Sequence, residues 1–222
     1  MHYQSGDENY YILSNEGRSE EKLTLGIKEF NGGSYTIWDP FENKATSGYS
    51  HNGDITITLI PNNLYILILN SKKENSDTLV AELPRPTECL DATWNIEIAK
   101  ENELPDYKPY KTTNELINIT APNERPDFVG NIRYTTKVSL DKEKNKILDL
   151  GEVGTTAEVK INGIHVGTRL FAPYRFDISN AIKNGDNEID IIVTNTCIFE
   201  QRDKFSRFMA IRPSGILGPI KL

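Results

Sequence analysis

Residues 148–195, LDLGEVGTTAEVKINGIHVGTRLFAPYRFDISNAIKNGDNEIDIIVTN, specify a β-sandwich through their turns and strand alternation. Within them Ala157, Val159 and Ile161 alternate with Glu158 and Lys160, the period of two of a strand with one apolar face. Asn162-Gly163 follows, a dipeptide suited to the two positive φ angles of a type I′ turn, and Ile164 and Val166 return on the same apolar face. The spacing predicts Ile161 opposite Ile164, Lys160 opposite His165 and Val159 opposite Val166. A slip of one residue would turn the whole apolar set toward water, so the register is strongly specified. Further on, residues 177–185 predict a short helix of at most two turns. Asp177 or Ser179 would accept its first free amide hydrogens, and Gly185 would take the left-handed cap.

Along the rest of the chain short β-rich runs recur at spacings of about 8 to 12 residues between Gly, Asn, Asp and Pro clusters, the pattern of antiparallel sandwiches. The fold class is all-β. Strands are predicted at residues 10–14, 22–27, 34–39, 54–60 and 64–69, joined by Asn31-Gly32-Gly33, His51-Asn52-Gly53-Asp54 and Pro61-Asn62-Asn63. These form a small β-sandwich over residues 1–72. Residues 70–77 are polar throughout, and Leu83-Pro84-Arg85-Pro86 cannot continue a central strand because proline lacks the ladder donor. A linker over 73–90 and a second sandwich over 91–222 follow. In the latter, Trp94, Ile96 and Ile98 share a face. Phe128, Ile132, Tyr134, Thr136, Val138 and Leu140 share another, with Asn131, Arg133, Thr135, Lys137 and Ser139 turned to water. Residues 102–114, with Pro105 and Pro109, read as a long loop.

Composition excludes several classes. The 222 residues are 37% hydrophobic and 26% charged, the balance of a globular chain, and no run approaches the ~20 apolar residues of a membrane span. A net charge of −7 leaves no basic footprint for phosphates, so nucleic acid is not an expected partner. The opening MHYQSGDENYYILSNEG lacks the basic start and apolar run of a secretory signal. Cys89 and Cys197 are too few for a disulfide framework and are expected to be free thiols.

Four segments in order carry a family resemblance: DFVGNIRYTTKVSL, LDLGEVGTTAEVKINGIHVG, APYRFDISNAIKNGDNEIDIIVTN and the closing SGILGPIKL. Together they resemble the sugar-binding domain of family 2 glycoside hydrolases and the C-terminal sandwich of bacterial family 106, α-L-rhamnosidase-like, enzymes. The resemblance covers about the last hundred residues and implies a galactose-binding-domain-like jelly roll for the second domain. It also implies that the catalytic carboxylates sit on a separate upstream barrel of the same polypeptide. The first residues resemble the place where that catalytic part gives way to the sandwich, so the chain is expected to be a fragment of a bacterial protein, cytoplasmic, periplasmic or secreted according to what precedes it.

The residues themselves agree with a non-catalytic piece. A glycosidase needs two carboxylates flanking one bond, and nothing in the sequence pairs any two of the 32 acidic residues. No catalytic residue is assigned. His2, His51 and His165 lack the close spacing of a zinc site, and no oxygen-rich loop spells out calcium, so neither metal nor cofactor is expected. Gly151-Glu152-Val153-Gly154 is a turn, not a phosphate cradle.

Sugar binding leaves a different trace, aromatic faces beside groups that fix hydroxyls. The candidates are Tyr107 and Tyr110 in the long loop, Arg169, Phe171, Tyr174 and Arg175 after the hairpin, and Phe199, Arg202, Asp203 and Phe205 near the end. Trp94, Phe128, Tyr134 and Phe176 are assigned to the core, and Trp38, which ends a strand, to either. Two readings of the loop aromatics stay open: a platform for a plant or microbial oligosaccharide, or an interface packed on the catalytic barrel. The expected function is scaffold and carbohydrate-binding module of an α-L-rhamnosidase-like or β-galactosidase-like glycoside hydrolase. The alternatives are an autonomous lectin-like module and a protein-binding surface adhesion domain.

Overall fold

In the computed structural model, residues 1–6, 8–41, 44–69, 85–201 and 211–222 are described. Among them every regular element is a strand except two single 3-10 turns, Glu101–Glu103 and Cys197–Phe199. The all-β expectation holds. The chain divides into two units, Met1–Glu82 and Leu83–Leu222.

The first unit contains β1 (His2–Ser5), β2 (Glu8–Ser14), β3 (Glu21–Gly26), β4 (Gly33–Asp39), β5 (Lys44–Ser50), β6 (Asp54–Leu59) and β7 (Leu64–Leu69). A five-stranded sheet runs β1-β2-β7-β4-β5, and β3 pairs with β6. Alternation on β7 buries Tyr65, Leu67 and Leu69, and on β6 Ile55, Ile57 and Leu59, so these rows form the core between the two layers. Asn15, buried at the end of β2, donates from Nδ2 to the carbonyls of Ser19 (2.7 Å) and Leu59 (2.9 Å), tying the following turn to β6. β1 and β5 are additions to the sequence expectation. HYQS and KATSGYS lack an apolar alternation because both are edge strands, with one neighbour each.

The second unit contains β8 (Trp94–Ala99), β9 (Lys108–Thr113), β10 (Asn131–Leu140), β11 (Ile147–Asp149), β12 (Glu152–Val153), β13 (Thr156–Ile161), β14 (Ile164–Arg169), β15 (Arg175–Asp177), β16 (Gly185–Thr194) and β17 (Ile216–Gly218). Six strands form one antiparallel sheet in the order β14-β13-β16-β10-β8-β9. The β11–β15 and β12–β17 pairs supply Leu148, Phe176, Val153 and Ile216 to the same core as that sheet's buried row. Trp94, Phe128, Tyr134 and Phe176 are all buried, as expected of large rings, and Trp94 meets Tyr134 edge-on at 6.5 Å.

Four local expectations are corrected. Asn162 (φ 52°) and Gly163 (φ 78°) make the anticipated turn, and Ile161 faces Ile164 and Lys160 faces His165. Val159, however, pairs with Gly167 because a β-bulge inserts Val166 as an extra residue on β14. Ile164 is 52% exposed, because it sits at the tip of an edge strand. Residues 177–185 form no helix: Ala181 and Ile182 both donate to the Ile178 carbonyl, a single turn that β16 interrupts from Gly185 onward. Residues 102–114 are not one loop but end in β9, where Pro109 is tolerated because the strand is an edge and bulges there.

Candidate functional site

The outer face of the six-stranded sheet gathers charge from four strands. Arg133 on β10 donates to Asp190 on β16 in a fork, Nε to Oδ1 at 3.0 Å and Nη2 to Oδ2 at 2.8 Å. Its third nitrogen lies 3.6 Å from Glu97 on β8. One strand further, Lys160 and Glu158 of β13 pair at 2.9 Å. The Asp190 carboxylate raises the Arg133 pKa, and Glu158 raises that of Lys160. Tyr107 lies on this array, with the Arg133 guanidinium 5.6 Å from its ring centre. Burial pushes its hydroxyl pKa up; Arg133 opposes the shift, while Asp190 and Glu158 add to it.

Beside Arg133 the ladder between β10 and β8 stops at Thr135–Asn95, whereas that between β10 and β16 runs on to Leu140–Gly185. Just before β8 the ladder gives way to a side-chain bond, Thr136 Oγ1 donating to the Thr93 carbonyl at 2.8 Å, and an open groove of about 610 Å³ lies there, walled by Asn95, Glu97, Arg133, Thr135, Lys137 and Glu188 among others.

Tyr110 stands apart from this face. The register jumps from Lys111 to Pro109 opposite Ile96 and Glu97, so Tyr110 is the extra residue of the β9 bulge. Its ring packs on the core, its hydroxyl donates to Glu124, and Arg125 covers the ring at 5.5 Å. Lys111 binds the other Glu124 oxygen at 3.0 Å. Burial, then the Glu124 hydrogen bond, raise the Tyr110 pKa to about 12. The Tyr110 and Lys111 bonds hold the Glu124 carboxyl below its usual value.

The turn after the hairpin is an architectural clamp. Arg175 Nε donates to Asp149 Oδ2 at 2.9 Å across the β11–β15 pair, and Asp149 Oδ1 accepts from Gly151 N at 2.9 Å. Arg169 Nε donates to the Arg175 carbonyl at 3.1 Å, with its guanidinium over Phe176. Tyr174, expected as a stacking ring, is instead core: it is buried and its hydroxyl donates to the Thr155 carbonyl. Phe171 is half-buried, and Phe199, expected as a loop aromatic, is buried. Arg202, Asp203 and Phe205 lie outside the described residues. Thus the structure brings Tyr107 to a charged face and Arg169 to Arg175, and leaves Tyr110 in a third place.

Arg133, Asp190, Glu97 and Lys160 escaped the sequence reading as site residues. Their only trace was the outward half of the alternation, which marks any wet strand face. Among the described residues no three His, Cys, Asp or Glu side chains gather as a metal site would require. No helix among them is long and apolar enough to cross a membrane.

Residues 95–208, just over half the chain, match the family model described as glycosyl hydrolase 2 galactose-binding domain-like. The chain belongs to this family. As a glycosyl hydrolase 2 galactose-binding-like chain it is part of a glycoside hydrolase-like protein. A relative named putative beta-glucuronidase, from Formosa agariphila, is 36% identical over 132 residues, covering 53% of this chain and 10% of that protein. The solved rhamnosidase from Novosphingobium sp. PP1Y superposes over 99% of this chain and 23% of its own, with a TM-score of 0.72 and 22% identity. At that identity the likeness is one of fold. The galactose-binding-like chain therefore spans about a tenth of the first relative and about a quarter of the second. The galactose-binding-like match includes Tyr107, Arg133, Asp190 and the groove beside them except its 91–93 rim.

Proposed function

We propose that the chain is a non-catalytic portion of a glycoside hydrolase, in which residues 83–222 act as scaffold and carbohydrate-binding module. The observation that carries this reading is family membership over 95–208, a stretch that includes a face where an aromatic ring lies beside paired Arg and Asp side chains. Aromatic surface next to fixed donors and acceptors is the chemistry that holds a pyranose. The parent enzyme is taken as α-L-rhamnosidase-like, β-galactosidase-like or, following the named relative, β-glucuronidase-like, with a catalytic barrel elsewhere in the polypeptide.

Two measurements test it. The purified chain should turn over no aryl rhamnoside, galactoside or glucuronide; turnover abolished by a single Asp or Glu substitution would overturn the non-catalytic half. Titration with rhamnose, galactose and plant oligosaccharides to millimolar concentration should give saturable shifts. A scaffold alone would give none, a reading favoured by the clamp at Asp149, Arg169 and Arg175, which spends the polar groups of that turn on the fold.

A further inference from the structure

We infer that the groove between β10 and the chain entering β8 binds a neutral oligosaccharide, laid across β16, β10 and β8 with Tyr107 at the Arg133 end. This rests on the carbohydrate-binding reading and assigns it a place and a ligand class. The place follows from the ladder. β10 keeps a partner on one side through Leu140 but loses β8 after Thr135, and the gap of about 610 Å³ opens where the pairing stops. The gap is not apolar. Asn95 and Thr135, a cross-strand pair, sit on its floor between Arg133 and Glu97 at one end and Lys137 and Glu188 at the other. Across the strands Arg133 faces Glu97 and Lys137 faces Glu188, a donor against an acceptor about 4.8 Å apart, and outward residues succeed one another along β10 at about 6.6 Å, so hydroxyls along the groove meet both donors and acceptors.

The ligand class follows from charge. The lining holds Arg133 and Lys137 against Asp91, Glu97 and Glu188, and Arg133 is already shared between Asp190 and Glu97. An anionic sugar gains no attraction from such a field and meets the carboxylates, whereas neutral hydroxyls can use both signs. Tyr107 is not itself a wall of the groove but lies over Arg133, which is, and is only partly buried, so its ring borders the Arg133 end.

The test is amide chemical-shift mapping of the whole chain with tetrasaccharides of glucose, galactose, mannose, xylose and rhamnose, and with tetragalacturonate as the charged counterpart. The expected result is saturable shifts at Asn95, Arg133, Thr135, Lys137 and Glu188 with at least one neutral probe, and binding of tetragalacturonate at least tenfold weaker. Tyr107→Ala and the double change Asn95→Ala with Thr135→Ala should each weaken binding at least tenfold, while Phe171→Ala leaves it unchanged. Shifts confined to residues 169–175, with loss in Phe171→Ala, would overturn the groove and leave the carbohydrate-binding reading standing. Preferred binding of tetragalacturonate in the groove would overturn the neutral class. No saturable shift with any probe would overturn both the groove and the module. The shift map of the unaltered chain decides the place even where a variant fails to fold.

Discussion

Asn162 Nδ2 donates to Asn187 Oδ1 at 2.8 Å, joining the hairpin turn to the start of β16. Each side chain also serves nearby backbone. Asn162 donates to the Ala181 carbonyl at 2.9 Å and accepts from Glu188 N at 3.1 Å. Asn187 accepts from Lys183 N and donates to the carbonyls of Lys183 and Gly185, all within 2.9 Å. Two amides thereby hold the 178–185 turn against the sheet, the work a helix would otherwise do with its own hydrogen bonds.

Asn187 is 1% exposed, so Asn187→Ala should leave several buried backbone groups unsatisfied. At about 1–3 kcal/mol for such a group, the expected loss is about 3 kcal/mol, seen as a lower urea midpoint at unchanged slope. At the turn itself, Asn162→Gly should cost less than Asn162→Ala. Both lose the bonds, but only alanine also pays for φ 52°.

Gly154→Ala should be among the most damaging single changes in the second unit. A methyl there would lie 1.9 Å from the Pro213 carbonyl oxygen, which is backbone and cannot swing away. The expected outcome is a loss of more than about 3 kcal/mol or failure to fold, measured by thermal melting beside Gly163→Ala, whose added methyl meets nothing within 4 Å and which bears only the smaller cost of φ 78°.

Alkaline pH should weaken the fold through Tyr110. Its folded pKa, about 12, lies above the ordinary 10.0, so its contribution is complete below pH 10 and is lost as pH rises through 12. In spectrophotometric titration Tyr110→Phe should remove one late-ionising phenol. Tyr134, buried with its hydroxyl accepting from Ile216 N at 3.1 Å, should ionise only on unfolding. Glu124 acts at the other limb. Its folded pKa is depressed by Tyr110 and Lys111, so its contribution is present above the usual carboxylate value and fades as pH falls through the folded one.

Cys89 and Cys197 are both exposed and unbridged. Two thiols should react with a disulfide reagent in the folded chain as fast as in urea, and mass analysis without reductant should show no intramolecular bridge. A protected thiol would contradict the exposure.

Alternation made the core rows legible. Ile132, Tyr134 and Leu140 on one strand and Ala157, Val159 and Ile161 on another are buried as their spacing implied. Less legible was any element whose residues are not apolar. β9 carries Pro109 and reads as loop, since only its place at a sheet edge removes the need for that amide. Tyr174 looked like its neighbour Phe171, two aromatics in one turn, until packing sent one hydroxyl to Thr155, 19 residues back.

Local information thus reaches as far as strand, turn and apolar face, because those depend on side-chain period and on which residues tolerate positive φ. Asn162-Gly163 therefore announces its hairpin without help. The candidate site is of another kind. Arg133 meets Asp190 57 residues later and Tyr107 26 residues earlier, and the groove exists because one ladder outruns another. Such neighbours are set by which strands lie side by side and in what register. That choice is made by burying the other face of the same strands, so the outward residues follow from packing in which they take no part.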